Sequence, residues 1–201
     1  MKTLNTILAA GAIALSAGAA SAATVTFSAL PGAAIKNPDA TLITGNVYEN
    51  VVGTAGTLRR SPWESDGSSV THTAPDAWYT SVSANSTATY NVGRSISASF
   101  VWGSPDTYNT LEFLLGGSVV DTVVFSGLEN IDPASFGLNS ALATFTDITG
   151  DLFDAIRFSS STNAFEFANL EVAPVPLPAA GLMLLAGLGG FAAVRRRKTA
   201  A

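Results

Sequence analysis

Apolar and polar residues alternate with a period of two along most of the chain. Between Arg94 and Gly103, Ile96, Ala98, Phe100 and Trp102 fall on one face, and Ser95, Ser97, Ser99 and Val101 on the other. Segments 24–27, 41–50, 78–83, 88–92, 111–115, 119–125, 155–159 and 164–172 read the same way and are rich in Val, Ile, Thr, Phe and Tyr. Those residues suit a pleated, half-buried surface. Turn chemistry separates them at Gly53, Gly56, Pro62, Gly67, Gly103 to Pro105, Gly116-Gly117, Gly127 and Gly150. Nowhere do ten residues keep a clean 3.6 period. The nearest approach, residues 133–143, predicts a short helix or turn. The pattern predicts an all-β domain over residues 23–173, an antiparallel β-sandwich of jelly-roll-like kind.

Both ends break this period. Lys2 precedes an unbroken apolar run, residues 7–15, and Ala20-Ser21-Ala22 supplies a small-x-small cleavage site. This predicts a secretory signal peptide over residues 1–22, cut by signal peptidase so that Ala23 becomes the first residue. The run is too short to span a bilayer, which takes about 20 apolar residues. At the other end, residues 178–194 carry no charge, and Arg195, Arg196, Arg197 and Lys198 follow at once. As a helix, that stretch covers roughly 25 Å at 1.5 Å per residue. It predicts a short transmembrane helix with snorkelling arginines. Pro178 suits the first helical turn. The basic cluster should stay cytoplasmic, which places the domain beyond the inner membrane.

The end of the chain has three parts in order: Val175-Pro176-Leu177-Pro178-Ala179, the apolar stretch and the basic tail. Residues 174–201 thereby resemble the PEP-CTERM sorting signals of Gram-negative bacteria, in their VPLPA-CTERM variant. The resemblance implies processing by an exosortase, a membrane protease and transpeptidase, near the Pro motif. It also implies a destination at the cell surface or in an extracellular, exopolysaccharide-containing biofilm matrix. A second resemblance lies inside the domain. Trp102-Gly-Ser-Pro-Asp-Thr-Tyr-Asn-Thr-Leu111 is similar to the WGS-x-D-x-YN-x-L segment of a family of exosortase-dependent surface proteins. Residues 158–170 resemble that family's closing strand pair, with Ala168 where the family more often has Asp, before Asn169.

Charge and composition narrow the chemistry. Only 12% of the 201 residues are charged, against roughly 25% in ordinary soluble domains. All 15 acidic residues lie in residues 23–173, against Lys36, Arg59, Arg60, Arg94 and Arg157, so the domain carries a net charge of −10. Such a domain repels phosphates, so nucleic acid is excluded as a partner. No Cys is present, which excludes disulfides, zinc ribbons and cysteine nucleophiles. One His excludes sites built from two imidazoles.

Four constellations could carry chemistry. A hydrolase would have to use His72, near Ser68 and Ser69, but no G-x-S-x-G elbow accompanies them. His72 is expected in a solvated loop. Glu112 and Glu166 could pair as in a glycosidase. Alternation with the flanking Phe residues instead turns both toward solvent. Asp147, Asp151 and Asp154 offer hard oxygen ligands for calcium around a Gly, without matching an EF-hand, so a solvated turn is expected there. Trp102, Asp106, Tyr108 and Asn109 combine flat rings with hydrogen-bonding groups that would suit a neutral sugar. The competing role for that loop is a strand end followed by a stabilised turn, and the alternation through Trp102 favours it. No cofactor is expected. The sequence thus predicts an exported, exosortase-processed surface or matrix protein, structural or exopolysaccharide-associated and non-enzymatic. The alternative is a carbohydrate-active enzyme or carbohydrate-binding module with the same sorting signal.

Overall fold

The computed structural model describes residues 23–53, 55–56, 58–63, 77–103, 105–124, 140–146, 148 and 152–175. They form ten strands: β1 (Thr24–Ser28), β2 (Leu42–Thr44), β3 (Val47–Val51), β4 (Tyr79–Val82), β5 (Ser86–Gly103), β6 (Asn109–Leu115), β7 (Ser118–Val124), β8 (Ser140–Thr146), β9 (Phe153–Ser160) and β10 (Phe165–Pro174). Every pairing among them is antiparallel, and no helix occurs among the described residues. The fold is all-β.

The 18-residue strand β5 organises the rest. Its first half pairs with β2 and β9, and β9 continues through β6 to β7. Its second half pairs with β8 and β10, which lead to β1 on one side and to β4 and β3 on the other. The change of partners falls around Gly93, whose φ of 70° lies in the left-handed region open to glycine. Beside it the β9 register shifts between Asn91 and Ser95. One strand thereby joins two sets of strands.

The two sets share one aromatic core. Phe158 of the first set stacks on Phe167 of the second, with centroids 3.8 Å apart. Tyr90 meets Phe167 edge-on at 5.7 Å, Phe100 meets Phe158 at 5.1 Å, and Phe113 meets Phe145 at 5.7 Å. Burying each such ring contributes about 1.5–3 kcal/mol, and good ring pairs add about 0.5–1.5 kcal/mol more. Core residues recur at every second position, as in Ala98, Phe100 and Trp102.

A smaller cluster covers the opposite face of the second set. Trp63, Tyr79, Val101 and Ala168 are buried there, with Leu30 and Ala34 packed against them. The Trp63 indole N–H donates to the Pro31 carbonyl at 3.3 Å, tying together the two segments that make this cover. Three asparagines fasten the first segment. Asn37 Nδ2 donates to Thr80 Oγ1 (3.0 Å) and the Phe167 carbonyl (3.2 Å), and its Oδ1 accepts from Leu170 N–H at 2.9 Å. Asn50 exchanges two bonds with the Asn37 backbone, and Asn169 Oδ1 accepts from Ile35 N–H at 2.6 Å. Asn50 and Asn169 both take positive φ, at 49° and 55°, which Asn tolerates better than most residues.

Several expectations are corrected. Segment 41–50 is two strands, β2 and β3, broken at Gly45. Residues 140–143, expected in a short helix or turn, belong to strand β8, while 133–139 lie outside the described residues. Ala141, Ala143 and Phe145 of β8 are buried opposite Trp102, Phe100 and Ala98, and because two of the three are alanines their alternation is faint in sequence. Ile96 is 38% exposed, because it sits close to the bend of β5, between the two stretches, 88–92 and 98–102, with which the strand lines the core. Val101, placed with the serines, is fully buried under the second cluster.

Candidate functional site

The loop after β5 folds back on the turn between β9 and β10. Asn109 N–H donates to the Asp106 carbonyl at 3.0 Å, which closes a tight turn, and Ser161 N–H donates to the Tyr108 carbonyl at 3.2 Å. Tyr108 Oη lies 2.6 Å from Asp106 Oδ2 and 3.1 Å from the Asn163 carbonyl. Asn109 Oδ1 accepts from Ser160 Oγ at 3.0 Å.

The four residues singled out from sequence therefore separate. Trp102 is fully buried, stacked on Phe165 with centroids 5.0 Å apart, and presents no face to a ligand. Asn109 is equally buried and fastens β6 to β9. Only Asp106 and Tyr108 remain half-buried at the surface. The strand alternation through Trp102 carried the signal that its ring belongs to the core.

Glu166 joins these two. The pairing of β10 with β5 and β4 sets Glu166 beside Gly103 and Ser81, on the face opposite the aromatic core. Alternation places its side chain away from Phe165 and Phe167, as expected, yet it is only 4% exposed. Residues 58–63 lie over it. Arg60 N–H donates to Glu166 Oε1 at 2.9 Å. A Cβ on Gly103 would stand 2.9 Å from Pro62 Cγ and 3.0 Å from Glu166 Cβ, so the cover requires glycine there. Solvent exposure of Glu166 is corrected accordingly. Ser81, next to it on β4, is buried, and its Oγ has no hydrogen-bond partner.

Burial pushes the Glu166 carboxyl up to about 7, and the charge of Asp106 adds to the push while Arg60 opposes it. Burial also raises Asp106, against the hydrogen bond from Tyr108. The Tyr108 hydroxyl is raised too, first by burial and then by Asp106. This corner thus holds a carboxyl raised toward neutral pH, with a second carboxylate and a phenol near enough for their charges to act on one another. Of these groups Asp106 and Tyr108 reach the surface, where a carboxylate and a phenol can accept and donate hydrogen bonds to hydroxyl groups. Arg60 and Ser81 are the members that sequence reading missed, since the pairing and the cover that gather them are distant in the chain.

The other acidic candidates are structural where they are described. Glu112 is 2.7 Å from Arg157, its cross-strand partner, in a half-exposed ion pair. Asp154 accepts from Gly116 N–H through both oxygens, at 3.1 and 3.0 Å, and so caps the turn between β6 and β7. Asp147 and Asp151 lie outside the described residues, as do Ser68, Ser69 and His72. Among the described residues no group of three His, Cys, Asp or Glu could hold a metal ion. Ala20, Ala22, Pro176, Leu177, Pro178, Ala179, the stretch 178–194 and Arg195 to Lys198 are outside them too. No helix among the described residues is long and apolar enough to cross a membrane. Comparison with protein-family models, curated proteins and solved structures gave no match.

Proposed function

We propose that this chain is an exported protein of a Gram-negative cell surface or extracellular matrix. In this reading signal peptidase removes residues 1–22, the inner membrane holds the 178–194 segment, and an exosortase processes the chain at 175–179. The domain is a two-layer β-sandwich of jelly-roll-like order, with β5 passing between the layers, and it serves a structural or exopolysaccharide-associated role without catalysis. One observation carries the reading. Strand β10 ends at Pro174, and Val175 N–H donates to the Arg94 carbonyl at 3.2 Å. The VPLPA motif, the uncharged stretch and the basic cluster therefore follow the last strand among the described residues. Deleting the exosortase gene of the producing bacterium tests it. The chain should then accumulate in the inner membrane with Arg195 to Lys198 retained. An unchanged distribution would remove the sorting claim.

A second reading, a carbohydrate-binding module or carbohydrate-active enzyme with the same address, is favoured by Asp106 and Tyr108, hydrogen-bonded to each other at 2.6 Å and half-buried at the surface. Under it, Asp106→Ala and Tyr108→Ala weaken binding to the producer's polysaccharide while the melting temperature holds. Turnover of that polysaccharide, lost in Glu166→Gln, would turn it into the enzyme reading.

A further inference from the structure

We infer that the α-ammonium group created by cleavage before Ala23 is itself a ligand of the folded domain, received by the Asp121 carboxylate. The inference rests on the export reading for the position of the cut. Its geometry is independent of that reading. Strand β1 is the last strand of one set and β7 the last of the other. On β7, Asp121 and Val123 are the buried positions, Val120 before them is half-buried against the core, and Thr122 and Val124 are exposed. Asp121 is only 8% exposed. The backbone nitrogen of Ala23 donates to Asp121 Oδ2 at 3.0 Å, across 98 positions of sequence, and Oδ1 accepts from Thr122 N–H at 2.8 Å. Ala23 also packs against the aromatic core, together with Val25 and Phe27 of β1. The contact therefore joins the edge strands of the two sets.

The chemistry of that nitrogen changes on cleavage. In the precursor it is an amide with one N–H. After cleavage it is an ammonium with three donors and a full positive charge. A carboxylate turned away from water is stabilised much more by an opposite charge than by a single dipole. Charge-assisted bonds are roughly twice as strong as neutral ones. Removing the leader thus tightens the seam between β1 and β7, and a chain still carrying its leader is held more loosely there. Cutting the leader acts as a maturation step for the fold as well as for transport.

All ten strands and both clusters lie within residues 23–175, so the leader can be replaced without removing any of them. The test uses residues 23–201 in detergent micelles behind a removable tag whose cleavage leaves Ala23 first. Thermal midpoint and amide exchange across 24–28 are measured before and after the cut. The cut should slow exchange there about tenfold and raise the midpoint by roughly 2–4 °C. Two controls fix the cause: a cut that leaves one extra Gly before Ala23, and Asp121→Asn. Both should lose the gain. An equal gain in either control, or no gain in the parent chain, overturns the inference and leaves the export reading standing. N-terminal sequencing of exported protein that starts elsewhere than Ala23 defeats the cleavage position and this inference together.

Discussion

The two faces of β10 make an instructive contrast. Phe165 and Phe167 point into an aromatic core shared by both strand sets, whereas Glu166 and Ala168 point the opposite way. All four are buried to 5% exposure or less. On the first face burial comes from strands, whose side chains repeat every second residue. On the second it comes from irregular chain, residues 30–37 and 58–63, laid across the sheet and held by asparagines and one indole. The first face needs only apolar volume. The second must satisfy backbone groups and a carboxylate while excluding water, so single polar residues decide it.

The largest effect should come from the strand-made face. Phe100→Ala removes a ring in contact with Trp102, Phe145, Phe158, Phe165 and Phe167, and should destabilise the domain by about 3–5 kcal/mol in chemical denaturation. A loss under about 1 kcal/mol would mean that the two sets do not share a core.

The covered face should show itself through pH. The folded-state value of Glu166 is raised, from 4.5 to about 7, so the folded chain keeps this proton longer than the unfolded chain. Stability attributable to the group is full below about 4.5, falls as pH rises to about 7, and is flat beyond. The total loss is up to about 3 kcal/mol. Glu166→Gln keeps an acceptor for Arg60 N–H and cannot ionise. It should match the parent chain at pH 4 and exceed it at pH 8. Parallel stability curves for the two proteins would show that residues 58–63 leave Glu166 in water.

A smaller effect is expected where the cover is fastened. Asn37→Ala leaves the Phe167 carbonyl and the Leu170 N–H without their side-chain partners, at about 2 kcal/mol in all. Limited proteolysis should then cut near residues 30–40 before the core strands open. Cleavage that waits for global unfolding would merge the two faces into one unit.

This contrast also explains how far the molecule was legible. The all-β class and most strands follow from period-two alternation, and of the two roles the sequence offers Trp102, sugar platform or core strand end, the buried ring in β5 fits the second. Strand β8 was missed because its inward residues are mainly alanines, which carry little hydrophobic contrast. The exposed Glu166 expected from alternation failed for a different reason. Alternation says which way a side chain points and nothing about whether distant chain covers it. The same limit hid Ser81 and Arg60, which meet Glu166 through register and through a cover more than 100 positions away. Tyr108 and Asp106 could be grouped from sequence because they share one short loop, and their side chains do meet, at 2.6 Å.

Under the export reading we propose, the folded domain reaches the cell exterior stripped of both ends. The intact mass of the protein isolated from the surface or matrix of wild-type producing cells tests it most directly. The mature chain should start at Ala23 and end within or just after residues 175–179, with or without an added group at the new C-terminus. A mature chain whose mass includes Arg195, Arg196, Arg197 and Lys198 would contradict it and make the end of the protein a permanent anchor.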